Sequence, residues 1–174
     1  IRSSAISDNG HWVYDTTDYG TIEGELGGVV QEKNTCTVLT AIRELLSLGY
    51  KITPQAVKTG FAQVTGLTGL MGRWQIIQRD PLIICDTGHN VGGWEYLSKQ
   101  LDQTPCHALH IVIGMVNDKD IHGVLKLLPK KAIYYFTNAS VERALPAEEF
   151  ALQASEHGLK GTIHSSVALA IEAA

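Results

Sequence analysis

The apolar residues of this chain change their period part-way along it, and the change divides the sequence. Val38, Leu39, Ala41, Ile42, Leu45 and Leu46 recur at the three- and four-residue spacing of a helix with one buried stripe, and Gly49 follows as its stop. Asn34, just ahead of that run, reads as the residue that caps it. A second helix is predicted from Thr53-Pro54, a capping hydroxyl followed by proline at the first helical position, to about residue 63. Residues 12–16 and 21–26 read as short strands. Gly66, Gly69 and Gly72 punctuate residues 65–72, which we take as a linker.

Beyond the linker, short apolar runs alternate with helix patterns. Strands are predicted at 82–85, 109–113, 132–136 and 162–164. Helices are predicted at 92–103, at 121–128, from Pro146-Ala147 to 157, and after a cap at Ser166. Strands that are apolar throughout, separated by helices, signal an α/β fold with a mostly parallel sheet covered on both faces. Ligands on such sheets collect at the carboxyl ends of the strands, so the loops after the first two strands carry the chemistry.

The first of these loops reads Asp86-Thr87-Gly88-His89-Asn90-Val91-Gly92-Gly93. Its glycines let backbone approach a ligand closely, and the helix that follows offers unpaired N–H groups to an anion. Asp86 can accept two hydroxyl hydrogen bonds, as a ribose would supply, and Asn90 can read a polar edge. The alternative is that both residues only form turns and cap the helix. The second loop reads Gly114-Met115-Val116-Asn117-Asp118-Lys119-Asp120-Ile121-His122. Asp118 or Asp120 is placed to cap the next helix, while Lys119 is alternatively a held cation that meets a carboxylate or phosphate. Asp86, His89, Asp118, Asp120 and His122 together also suggest a metal cluster. Such sites need a fixed geometry that spacing does not show, and no residue is assigned as a metal ligand.

Arg73, in Gly72-Arg73-Trp74-Gln75, can fork onto a phosphate or cover a base with its guanidinium face; a surface salt bridge is the plainer role. Arg143 suits an anion or simply solvent. His11, His107, His110, His157 and His164 show no partner in the sequence.

Composition narrows the function classes. The 174 residues are 44% apolar and 18% charged, enough for a core and too apolar for disorder. A net charge of −4 argues against a broad nucleic-acid surface. The longest apolar runs, 82–85 and 111–113, fall far short of the roughly 20 residues that span a bilayer, so no membrane partner is expected. No charged-then-apolar leader opens the chain. Cys36, Cys85 and Cys106 lack CxxC spacing, which fits reduced thiols in a cytosolic protein, with Cys85 a small buried hydrophobe. Ile1 opens the chain and Ala174 ends a helix-like run, so a fragment of a longer protein is expected.

Gly72-Arg73-Trp74-Gln75, then Asp86-Thr87-Gly88-His89-Asn90, then Gly114-Met115 with Asp118-Lys119-Asp120, in this order and at these spacings, resemble folylpolyglutamate synthase/dihydrofolate synthase of the Mur ligase superfamily. Gln31-x-x-Asn34 and the apolar helix after it fit the end of that family's central domain. The resemblance implies that residues 1–71 end a central ATP-binding α/β domain and its linker. It implies that residues 72–174 form a Rossmann-like ligase domain of the Mur C-terminal type.

It further implies ATP-dependent joining of L-glutamate to a folate or dihydropteroate carboxylate through an acyl phosphate, with Mg²⁺. Under the resemblance Asn34, Arg73, Asp86, His89 and Asn90 meet the nucleotide, while His89, Asp118 and Lys119 are expected to be catalytic at the reacting centre. The family's Ala-His-Asn-Pro stands here as Gly88-His89-Asn90-Val91, without the rigid proline. The family's last strand and its glycine-serine stretch would come after residues 166–173. No G-x-x-x-x-G-K-[ST] occurs in the 174 residues. ATP and Mg²⁺ are therefore expected mainly on a missing N-terminal domain of the same protein, and this chain alone is expected to be inactive. Two other readings are a Mur-type cell-wall ligase domain, which would prefer a UDP-linked muramoyl acceptor, and a free-standing α/β module binding an anionic ligand.

Overall fold

The computed structural model describes residues 1–138 and 140–174. The chain forms two compact units, Ile1–Thr87 and Gly88–Ala174.

In the first unit, β1 (Ser3–Ile6), β2 (Trp12–Thr16) and β3 (Gly20–Gly24) make an antiparallel sheet in chain order. Trp12, Tyr14 and Thr16 alternate onto one face and are buried there, as the two-residue period of a strand requires. The Trp12 and Tyr14 rings stack at 5.6 Å, and Trp12 Nε1 donates to the Gly28 carbonyl at 2.9 Å. Burial pushes the Tyr14 hydroxyl up to about 12, against a smaller opposite effect of its hydrogen bond with Thr35.

Helix α1 (Val30–Ser47) begins four residues ahead of Asn34, with Val29 as its N-cap and no side-chain cap bond there. Asn34 is therefore not the N-cap; its Nδ2 donates to Gln31 Oε1 at 3.1 Å, one helical turn back. The expected buried stripe is also displaced. The buried residues of α1 are Gln31 and Thr35, while Val38, Leu45 and Leu46 are 44%, 38% and 40% exposed. Val38 and Ile42 line a cavity with Val57 and Phe61 rather than a packed surface.

Helix α2 (Pro54–Ala62) starts as predicted, with Thr53 Oγ1 accepting from Ala56 N at 3.1 Å. The segment read as linker holds a further turn, α3 (Val64–Thr68), because Glu25 Oε2 accepts from Thr65 N at 2.8 Å across 40 positions of sequence. Strand β4 (Gln75–Arg79), which the pattern did not flag, pairs antiparallel with β5 (Leu82–Cys85). Leu82–Cys85 is thus a strand, as expected, but of a hairpin turned at Asp80-Pro81 rather than of the parallel sheet.

The second unit holds α4 (Val91–Gln103), β6 (His110–Ile113), α5 (Ile121–Leu127), β7 (Ile133–Phe136), α6 (Ala147–Glu156), β8 (Gly161–Ile163) and α7 (Val167–Ala173). Its three strands are parallel in the order β6-β7-β8, so the predicted α/β parallel sheet with helices is present. Tyr134 and Phe136 of β7 stack at 5.7 Å, and Phe136 meets Phe150 of α6 edge-on at 5.6 Å. Val124, Leu125, Leu128, Ala154, Leu159 and Trp94 complete this core. Ser166 caps α7 as expected, accepting from Leu169 N at 3.3 Å.

Two outcomes follow from the packing. Phe150→Ala, at a side chain with no exposed surface, costs about 3–5 kcal/mol in urea unfolding of the chain. Tyr14 keeps its proton in the fold above its ordinary 10, so its contribution is full below pH 10 and lost as pH rises through about 12. Stability, followed by circular dichroism, falls over that window, and Tyr14→Phe removes this part of the pH dependence.

Candidate functional site

In the first unit, the register of the β4–β5 hairpin pairs Gln75 with Cys85 and sets Trp74 beside Asp86 just beyond the last pair. Asp86 Oδ2 accepts from Trp74 N at 2.7 Å. Trp74 has φ of +50°, a left-handed backbone that a side chain larger than glycine's rarely takes and that costs on the order of 1–3 kcal/mol. Asp86 therefore holds a strained turn. The preceding Gly72, at φ +71°, lies so close that a Cβ there would sit 2.6 Å from Thr87 Cγ2. Its carbonyl accepts from Thr87 N at 2.9 Å, and Arg73 Nη1 donates to Thr87 Oγ1 at 2.5 Å. Residues 72–74 and 86–87 are one locked mouth of a hairpin.

Arg73 and Trp74 also line a polar cavity of about 340 Å³ with His11, Gln75 and Arg79. Asn34 lines a different cavity of about 450 Å³ with Tyr14, Gln31, Thr35, Val57 and Phe61. Of the three expected nucleotide residues in this unit, Arg73 and Asp86 come together and Asn34 stands apart.

In the second unit, the capping roles left open by the sequence are both present. Asn90 Oδ1 accepts from Gly93 N at 2.8 Å and opens α4; Asp120 Oδ1 accepts from Gly123 N at 2.8 Å and opens α5. The two helix starts touch at Gly123, where a Cβ would lie 2.3 Å from Asp120 Oδ2 and 2.6 Å from Val91 Cγ2. That close approach sets the His89-Asn90-Val91 bend against the Asp118–Asp120 loop. His89 is exposed, directly before the cap.

Asp118 is not the cap. Its Oδ2 accepts from Arg143 Nη1 at 2.8 Å, and Lys119 Nζ lies 3.8 Å from the same oxygen. Arg143 is fixed by its backbone as well, its carbonyl accepting from Asn117 N at 3.0 Å beside a bridge between Val116 and Ala144. Two cations share one half-exposed carboxylate, and Asp120 in the same loop offsets the remaining positive charge. The pairs themselves add little stability at such exposure. Sequence reasoning missed Gly123 and the placement of Arg143; the Asp-x-x-Gly at a helix start was the available signal for the first. Among the described residues, no group of three or more His, Cys, Asp or Glu could hold a metal ion.

Residues 72–174 match the family model of the Mur ligase glutamate ligase domain. The chain belongs to that family. The dihydrofolate synthase/folylpolyglutamate synthase of Escherichia coli K12 is 33% identical over 172 residues, covering 94% of this chain and 38% of its own length. Mycobacterium tuberculosis folylpolyglutamate synthase, solved with ADP and AMPPCP, superposes with a TM-score of 0.81 at 25% identity, over 100% of this chain and 40% of that one. A bifunctional folylpolyglutamate synthase/dihydrofolate synthase with Mn, AMPPNP and L-glutamate bound gives a TM-score of 0.67 at 26% identity, over 96% and 38%. This Mur ligase chain thus spans about two fifths of the relatives it matches. Among its described residues, no helix is long and apolar enough to cross a membrane.

Gly123→Ala forces the α4 and α5 starts apart or breaks the Asp120 cap, at a cost of about 1–3 kcal/mol in urea unfolding. Gly92→Ala, whose Cβ would meet nothing nearer than Asn90 Oδ1 at 3.7 Å, is neutral or slightly stabilising.

Proposed function

We propose that this chain is the glutamate-ligase part of an ATP-dependent enzyme that adds L-glutamate to a folate or dihydropteroate carboxylate. The locked hairpin mouth carries the proposal. It fixes Arg73 and Asp86 one strand apart, in a chain 33% identical over 94% of its length to a dihydrofolate synthase/folylpolyglutamate synthase. The ADP and AMPPCP complexes of a structural neighbour support a nucleotide as the ligand.

In this reading the γ-phosphoryl group of ATP passes to the acceptor carboxylate, giving ADP and an acyl phosphate. The glutamate amine then attacks the acyl carbon, the amide forms, phosphate leaves, and the amine proton passes to solvent or a nearby base. Arg73 meets the nucleotide with its planar donors, and Asp86 accepts the ribose hydroxyls while it holds Trp74 in place. His89 and Asn90 border the nucleotide at the first turn of α4. Lys119 and Arg143, gathered on Asp118, supply positive charge where phosphoryl oxygens gain negative charge. Asn34 contributes from its own cavity on α1. Among the described residues no group of three or more His, Cys, Asp or Glu could hold a metal ion; in this reading the cation and the phosphate-cradling loop sit on the rest of the enzyme. Free Cys36, Cys85 and Cys106 fit work in the reducing cytosol.

In the intact ligase, Arg73→Ala and Asp86→Ala each lower kcat/KM for ATP-dependent glutamate addition by about ten- to hundredfold, the worth of a charge-assisted hydrogen bond of about 1.5–3 kcal/mol. Incorporation of labelled glutamate into dihydropteroate and folate acceptors measures it. Unchanged rates in both variants contradict the assignment.

A further inference from the structure

The geometry points to a second site that the ligase reaction does not use: an open, two-imidazole site for a late first-row divalent metal (Ni²⁺, Cu²⁺ or Zn²⁺) at His122 and His157. His122 stands in the first turn of α5 and His157 at the end of α6. His122 Nδ1 and His157 Nε2 are 3.0 Å apart, with ring centroids at 5.3 Å and the planes tilted by 44°. Two imidazole nitrogens on one metal at about 2.1 Å, with angles between about 90° and 109°, are themselves about 3.0–3.4 Å apart. The pair already stands at the short end of that span.

Both rings rest on fixed backbone. His157 N donates to the Ala154 carbonyl at 3.0 Å, and Lys130 Nζ holds the His157 carbonyl. His122 lies between the capped Asp120 and Gly123, whose contact anchors the start of α5. Preorganised ligands lose little freedom on binding. His122 is exposed and His157 half-buried, so water can complete the coordination shell. Imidazole is a favoured donor for these metals, and hard Mg²⁺ is not expected here.

Proton balance is simple. In the observed contact one ring nitrogen donates and the other accepts. Binding needs a lone pair on both, so the bridging proton moves through water to the far nitrogen of its own ring, and the rings turn until both lone pairs converge on a metal beside the line that joins the two nitrogens. Neither ring changes its charge.

The test uses the intact protein that contains these 174 residues, and Ni²⁺ alone. Paramagnetic broadening in NMR spectra is expected first at the His122 and His157 ring signals and at the Gly123 and Gly158 amides. His122→Gln and His157→Gln each weaken Ni²⁺ binding by about tenfold or more, since even losing an outer partner costs a metal site that much. His107→Gln, at an exposed loop position, leaves it unchanged. Broadening centred on other histidines, or equal affinity in wild type and both variants, overturns the proposal. Circular dichroism checks that the variants fold, and the wild-type broadening decides if one does not.

Discussion

A side chain missing at one position sets the arrangement of the second unit's loops. Gly123 receives the Asp120 carboxylate on its amide and the Val91 methyl against its α-carbon, and any Cβ would occupy both places. Because interiors do not yield by whole methyl groups, this contact fixes the start of α5 against the start of α4. The Asn90 cap and the Asp118–Asp120 loop inherit their positions from it. The aromatic core beneath, Tyr134, Phe136 and Phe150, gives the sheet the rigidity on which those loops stand.

The first unit meets the same demand with strain. Trp74 adopts a left-handed backbone only because Asp86, Thr87 and Gly72 bind the turn from several sides. A carboxylate proposed for the ribose thus also holds a turn, and its loss has two consequences at once. Under that proposal, nucleotide contact and hairpin geometry are coupled through one residue. In the second unit Asp118 plays a comparable part, gathering Lys119 and Arg143.

What the sequence revealed was local. Thr53-Pro54, Asn90, Asp120 and Ser166 signal helix starts within four residues, and each caps as the chemistry dictates. The parallel strands were legible because both their faces are apolar. What failed depended on partners far away in sequence. Glu25 caps α3 across 40 positions, and β4, half polar with Gln75, Gln78 and Arg79, becomes a strand only through pairing with β5. The stripe at 38–46 has the right period but is covered only in part, with Leu39 and Ile42 half-buried and Val38, Leu45 and Leu46 exposed, since periodicity reports a face and not what covers it. Arg143 reaches Asp118 through the Val116–Ala144 bridge, which no spacing encodes. The resemblance to a ligase family, by contrast, rested on short motifs in order, and the family model matches from the first of them onward.

We propose that this chain supplies glutamate-ligase loops to an enzyme whose phosphate-cradling loop lies outside these 174 residues. Reading the coding sequence upstream of Ile1 puts that to the test. An open frame containing a strand, a G-x-x-x-x-G-K-[ST] loop and a helix is expected there. A start codon at Ile1, with no such loop encoded ahead of it, would contradict the claim.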